Sequence, residues 1–304
     1  MKVLVVGSMA YDSVATASAS VERALGGSAT FFSIGASLFA PTAIVAVIGE
    51  DFDPADLARL RSHGVDLQGV QQVPGQTFRW GGRYSQFFET RQTLFTELNV
   101  FSDFQPVVPP SLADAEVVFL ANIHPALQSS VLDQVTSPSF VAMDTMNFWI
   151  DSARAELDAV LPRVDLLFIN DEEAFSLSAC GDVITAARRI RAMGPKTVVI
   201  KRGEHGAWLF TDEGAWLTPA VPLDDVVDPT GAGDSFAGGF MGFVARAGRF
   251  DGATLQKAMV AGTLVASCCC QGFSVDQLET INLPALAERR NRLAAVIGPM
   301  AVDL

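Results

Sequence analysis

The stretch DPTGAGDSFAGGF, residues 228–240, decides how the rest of the chain is read. Gly231, Ala232 and Gly233 carry little or no side chain, so the backbone there can turn tightly and bring N–H groups close to a ligand. Asp234 and Ser235 then open an apolar helix that runs through Phe236, Phe240 and Val244 and closes near Gly248. A glycine-rich turn on a helix N-terminus is an anion site, because unpaired N–H groups and the positive end of the helix dipole point at the same place. A carboxylate at that place has two readings. Asp234 can cap the helix, or it can accept the proton of a hydroxyl that attacks a phosphoryl group. The pattern is not a Walker loop, since no Lys-Ser/Thr follows the glycines, and it is not GxGxxG. Ala237 excludes a GxSxG nucleophile elbow.

Outward from this turn, short apolar runs end in polar or glycine residues: Val3–Val6, Ala43–Ile48, Val117–Leu120, Phe140–Met143, Leu166–Ile169 and Val198–Ile200. Continuous Val/Ile/Leu runs suit a parallel sheet buried on both faces. Helical patterns fall near residues 28–39, 54–63, 126–135, 152–160, 171–179, 182–193, 234–246 and 253–269. The alternation predicts a three-layer α/β/α fold with right-handed crossovers. The stretch Thr77–Asn99 breaks the rhythm: Phe78, Trp80 and Tyr84 alternate with polar residues around Gly81-Gly82, and Phe87 and Phe88 follow. That alternation predicts antiparallel strands, which either project as a lid over a ligand cleft or pack as an ordinary hairpin.

Composition narrows the function classes. The 304 residues are 49% hydrophobic and 18% charged, below the roughly 25% charged of an average soluble protein, so a large two-sided core is expected. A net charge of −13 disfavours nucleic acid and anionic membrane surfaces as partners. No charge occurs from Ala24 to Gly49, but Pro41 and the β-branched run after it predict a buried helix followed by a buried strand, not a membrane span. The start, Lys2-Val-Leu-Val-Val-Gly7, reads as a first strand and lacks the longer apolar stretch of a signal peptide. Cys180 and the run Cys268–Cys270 lack metal or redox spacing and read as small apolar residues in a reducing, cytoplasmic setting.

Five motifs together resemble the ribokinase-like (PfkB) family of sugar and nucleoside kinases, in that family's order: GSMAYD (7–12), GGSATFFS (26–33) with GEDF (49–52), NDEE (170–173), KRGEHG (201–206) and DPTGAGD (228–234). The resemblance implies one kinase domain over 1–304, with a mostly parallel ribokinase-like core and a small β-strand lid from about 12–25 and 77–100. It implies ATP and Mg²⁺, with Asp234 as base beside an anion hole at Gly231, Ala232 and Gly233. It places Asp12, Gly26, Gly27, Ser28 and the Phe31 position on the substrate side, with Trp80 and Asn99 contributed by the lid. On the nucleotide side it places Asn170, Glu173, Lys201, Arg202, Gly203, Gly206 and Thr230, and it sets the helix of residues 258–270, with small Ala261, Gly262 and Ala266, beside the adenine. Glu173 is implied at Mg²⁺ through water, and Asp228 at a monovalent cation, K⁺, as in some members. From the residues alone, Asp171, Glu172 and Glu173 read equally as a solvated acidic helix start, and Lys201 and Arg202 as a solvated strand end.

The departures concern the substrate. Phe31 stands where the family carries an asparagine for substrate hydroxyls, so an apolar surface is expected there. DTMNFW (144–149) only loosely matches the family's D-x-N-x-R, leaving Asp144 and Asn147 open. Arg79, Arg83 and Arg91 lie in the lid and read either as solvated strand residues or as readers of a substrate phosphate. The implied partner is a small-molecule sugar or nucleoside, with a homodimer through the lid strands. A catalytically silent binding protein on the same fold is disfavoured by the presence of Asp234, the glycine turn and Asn170/Glu173. A dinucleotide-dependent hydride-transfer enzyme would need GxGxxG after the first strand, where Gly7 is instead followed by Ser8, Met9, Ala10 and Tyr11.

Overall fold

The computed structural model describes residues 1–88 and 90–297. Its strands are β1 (Val3–Val6), β2 (Ala10–Ala15), β3 (Ser20–Gly26), β4 (Thr42–Ile48), β5 (Val65–Gln72), β6 (Phe78–Tyr84), β7 (Arg91–Glu97), β8 (Val117–Leu120), β9 (Phe140–Asp144), β10 (Leu166–Asn170), β11 (Thr197–Lys201), β12 (Ala207–Thr211) and β13 (Gly214–Thr218). Its helices are α1 (Ser28–Ser37), α2 (Pro54–Ser62), α3 (Pro125–Leu132), α4 (Asn147–Ser152), α5 (Arg154–Val160), α6 (Asp171–Ser178), α7 (Val183–Arg191), α8 (Ala232–Ala247), α9 (Gly252–Cys269) and α10 (Leu283–Ile297).

The large sheet runs β13-β12-β11-β10-β9-β8-β1-β4-β5. It is parallel from β5 to β11, and β12 and β13 add antiparallel at one end. Period-two alternation sends Val3 and Val5 into a core with Phe32, Phe119, Phe168 and Phe240, and Leu4 and Val6 into a second core with Leu157, Leu161 and Ile190. Helices α1, α8 and α9 build the first core, and α5, α6 and α7 contribute to the second. β1 lies between β4, which follows it, and β8, reached after the chain crosses back. A crevice opens at the carboxyl ends of strands where the order reverses in this way.

β2, β3, β6 and β7 form a separate four-stranded sheet in the order β3-β2-β6-β7. The expected lid strands are thus present, with β2 parallel to β6 and β7 as an exposed edge. Asp51, just beyond β4, anchors this sheet to the core. Its carboxylate accepts from the Thr77 N–H and hydroxyl, each at 2.7 Å, and from the Arg79 guanidinium at 3.3 Å.

Several elements differ from the sequence reading. The helix expected over 152–160 is α5, which begins at Arg154 after Ala153 (φ −135°) breaks the helical path, and neither α4 before it nor β13 was anticipated. β5 and α10 were not anticipated: β5 (VDLQGVQQ) is a sheet-edge strand with a polar, partly exposed face, and α10 buries only Leu286 and Leu293. The uncharged stretch 24–49 is α1 followed by β4, and no helix among the described residues is long and apolar enough to cross a membrane.

Close approach of α1 and α8 brings the segments 26–33 and 228–240 together, and it depends on glycine. A Cβ on Gly238 would overlap the Phe32 carbonyl oxygen, which a backbone cannot move cheaply. Gly238→Val is therefore expected to cost about 1–3 kcal/mol by overpacking. Urea unfolding would show this as a lower midpoint at unchanged slope, and a midpoint within error of the parent would contradict the packing described.

Candidate active site

The crevice at the carboxyl ends of β1, β9, β10 and β11 gathers residues from all of the motifs. Gly231 takes the left-handed conformation (φ +76°) just before α8, so it is a position where glycine is required. Among the described residues, the Gly231 and Gly233 amides have no backbone or side-chain acceptor. The Ala232 N–H donates to the Pro229 carbonyl at 3.1 Å, which closes the turn. The Gly231 and Gly233 amides are thus uncommitted, whereas the Ala232 amide, expected beside them, is used within the turn.

Asp234 falls in the first turn of α8 and is partly buried. Burial among protein atoms and the nearby Asp144 carboxylate raise its pKa to about 7, against the pull of Lys201 and its own N–H. Lys201 ends β11 and donates to the Asp144 Oδ2 at 3.0 Å, with its ammonium where a side chain on Gly233 would begin. Burial disfavours that ammonium, but Asp144, Glu173 and Asp234 outweigh it and raise its pKa. Three carboxylates thus surround one cation.

Asn170 and Glu173 form a complete capping box on α6: the Glu173 N–H donates to Asn170 Oδ1 at 2.8 Å, and the Asn170 N–H to Glu173 Oε2 at 2.9 Å. The acidic-start reading therefore holds structurally, yet it leaves Glu173 Oε1 without a partner among the described residues. Burial and Asp144 raise the Glu173 pKa to about 7. Such an excess of confined negative charge suits a cation held largely through water and phosphate, as Mg²⁺ is. No cluster of three or more His, Cys, Asp or Glu side chains arranged for a metal occurs among the described residues. Asp228 is buried, and its Oδ1 accepts from the Thr230 N–H at 2.8 Å.

On the opposite wall, β2 carries Asp12. Burial, Asp228 and Asp234 raise its pKa to about 7, while the Gly27 N–H lowers it. A Cβ on Gly26, which pairs with Ala10 in the β2–β3 ladder, would overlap the Asp12 carboxylate two residues along β2, so a glycine is needed there. Gly27 (φ +95°) caps α1. Asp234 is among the groups that raise the Asp12 pKa, so the segments 7–12 and 228–234 lie near one another.

Several expected contacts are committed elsewhere. Ser28 bonds Ser8, with hydroxyl to hydroxyl at 3.1 Å, and so ties the first two motifs together in place of facing substrate. Arg202 turns to Asp171 on α6 at 3.1 Å, away from the turn at 231–234. Asn99 donates its amide to the Thr77 carbonyl at the lid base (2.9 Å). Gly203 (φ +52°) and Gly206 (φ +83°) shape the turn between β11 and β12, closed by Arg202 N–H to Gly206 C=O at 2.8 Å. Phe31 does not add an open apolar wall: it is 2% exposed, and its ring lies flat against the Gly231 backbone. Ala261 and Gly262 are packed against α8, where a Cβ on Gly262 would meet the Phe236 carbonyl, so their small size serves helix packing. Trp80 sits on the lid with its indole across Gly82 and the Arg91 guanidinium 5.5 Å from its ring. Arg79 is held at Asp51, leaving Arg91 as the lid arginine whose charge reaches Asp234 and Glu173.

Comparison with known proteins matches this arrangement to one family. The pattern of the pfkB family carbohydrate kinases matches residues 1–281. The chain belongs to the PfkB family. It is 32% identical over 224 residues to a cytidine kinase of Thermococcus kodakarensis, covering 71% of this chain and 78% of the relative. It is 25% identical over 283 residues to a nucleoside kinase of Methanothermobacter thermautotrophicus, covering 90% and 85%. Its fold matches the aminoimidazole riboside kinase of Salmonella enterica with a TM-score of 0.76 at 20% identity over 97% of this chain and 100% of that one. It matches the nucleoside kinase of Methanocaldococcus jannaschii with 0.75 at 18% identity over 96% and 97%. As a PfkB kinase the chain is a phosphotransferase of an ATP-using family with a ribokinase-like fold, and its relatives act on sugars or nucleosides.

Sequence reasoning missed two working residues. Asp144, left open, proves to be the partner of Lys201, and its position at the end of β9 was the available signal. Asp51, quoted only as part of a motif, holds the lid base.

The raised Asp12 pKa has a consequence for stability. The folded state keeps that proton up to about 7, whereas an unfolded aspartate loses it near pH 4, about its ordinary value. Between those values the native state binds more protons, so this group's contribution to stability falls as pH rises. The thermal midpoint of the ligand-free protein is expected to fall between pH 5 and about 7 more steeply than that of Asp12→Asn. Parallel curves for the two proteins would contradict the assignment.

Proposed function

We propose that this chain transfers the γ-phosphate of ATP to a hydroxyl of a nucleoside, with Asp234 as general base. The observation that carries the reading is the Asp234 carboxylate, poised near 7 in the first turn of α8, beside two uncommitted glycine amides and opposite Asp12. A base poised near neutrality can take a hydroxyl proton as the oxygen attacks. The Gly231 and Gly233 amides and the α8 dipole face the charge that develops on the transferred phosphoryl group. Lys201, in contact with Asp144, supplies the local positive charge, and Asp12 orients an acceptor hydroxyl. The Glu173 carboxylate, with Oε1 uncommitted, would hold Mg²⁺ through water, and that ion supplies charge neutralisation on the phosphates when bound. Asp228 is assigned to K⁺. The likeness to a cytidine kinase over most of both chains, and the Trp80 indole on the lid, support a nucleoside over a simple sugar.

Asp234→Asn is expected to fold normally and to lose about 10²–10⁴-fold in kcat, the usual range for a lost general base. The assay is ADP release across pyrimidine and purine nucleosides, pentoses, hexoses and sugar phosphates, with Mg²⁺ and with K⁺ or Na⁺. Near-normal turnover by the folded Asn variant would overturn the base assignment. Preference for a free sugar would overturn the nucleoside assignment, and equal rates in the two salts would overturn K⁺ at Asp228.

A further inference from the structure

One contact in the molecule joins the lid directly to the catalytic turn and is not used by the chemistry above. The Tyr84 hydroxyl lies 3.1 Å from Thr230 Oγ1, across 146 residues of sequence. Tyr84 ends β6, on the strand face that also carries Gly82 and Trp80. Thr230 immediately precedes Gly231, and its remaining polar groups are taken: its N–H donates to Asp228, and its carbonyl accepts from the Cys269 thiol at 3.3 Å. Among the described residues, the Tyr84 bond is therefore the one hydrogen bond from the lid to Thr230, whose other polar groups are held by the core. Phe31 packs against the Gly231 backbone, so the turn is gripped by α1 and by the lid. In the ladder, Arg91 pairs with Tyr84, and its guanidinium stacks near Trp80. Because Arg91 pairs with Tyr84 and its charge reaches Asp234, the seating of Tyr84 bears on where that cation lies.

We propose that Tyr84 is a positioning residue: its hydroxyl, bonded to Thr230, latches the lid onto the anion-binding turn and couples lid closure to the alignment of Gly231 and the approach of Arg91. This rests on the kinase reading for its catalytic consequence but not for the latch itself. A latch of this kind acts on turnover and on water exclusion, not on ATP affinity. It differs from an acceptor contact, whose removal would raise the KM for the acceptor and leave kcat in place.

The test is a double-mutant cycle of Tyr84→Phe and Thr230→Val, both near-isosteric, read in two ways. In steady-state kinetics each single variant is expected to lower kcat about 3–10-fold, the scale of one neutral hydrogen bond, and Tyr84→Phe, which lies outside the nucleotide side, to keep the KM for ATP within about two-fold. Each is also expected to raise the fraction of ATP lost to water. The double variant should be no worse than the poorer single, because both remove the same bond. In hydrogen exchange of the ligand-free proteins, the β6 amides should exchange faster in each single variant and no faster again in the double. Unchanged kcat and unchanged β6 exchange would overturn the latch, as would losses that multiply in the double variant. A change confined to the acceptor KM would overturn it in favour of direct substrate contact. If the parent protein turns over no acceptor at all, the kinase reading fails alone, and the exchange comparison still decides the latch.

Discussion

The structure is organised around a charge imbalance: Asp144, Glu173 and Asp234 crowd one ammonium, Lys201, at the carboxyl edge of the sheet. Confined carboxylates are unfavourable unless they are protonated, paired or joined by cations. This crevice leaves part of that demand unmet, as the raised pKa values of Asp234 and Glu173 show. Under the proposed function, a Mg²⁺-bound polyphosphate would meet that demand, with its cation near Glu173 and its anion at the glycine amides.

The rest of the fold holds that arrangement in register. The parallel strands deliver Asp144, Asn170 and Lys201 to one edge, and α8 delivers Asp234 from the adjacent layer. The α1–α8 contact, possible because Gly238 carries no side chain, fixes the Gly231 turn under Phe31. Asp12 enters from the second sheet, and Asp51 sets the base from which that sheet projects. In the proposed reaction the second sheet would therefore carry the acceptor side of the site.

Much of this was legible in the sequence because it is local. Apolar runs such as Leu166–Ile169 could only be strands covered on both faces, and the glycine turn with Asp234 has one helical start. β5 and α10 escaped because their patterns are half polar: one lies at the sheet edge and the other on the surface. In the site, the capping box of Asn170 and Glu173 is a local relation that the sequence reading took only as an acidic helix start, whereas Ser28 with Ser8, Arg202 with Asp171 and Asn99 with Thr77 depend on how distant segments meet. Phe31 is the sharpest case. Its replacement of a polar residue read as a change in the substrate wall, but a ring that fits against a glycine backbone turned inward to support the catalytic turn.

The account stands or falls on the ionisation of Asp234. The direct measurement is a ¹³C NMR titration of carboxyl resonances in the ligand-free protein, with Asp234 assigned by its absence in Asp234→Asn. The account predicts an apparent midpoint near 7, matched by a break in kcat/KM at the same pH. A midpoint near 4, about the ordinary value for aspartate, would show a solvated carboxylate that caps a helix, and would contradict the account.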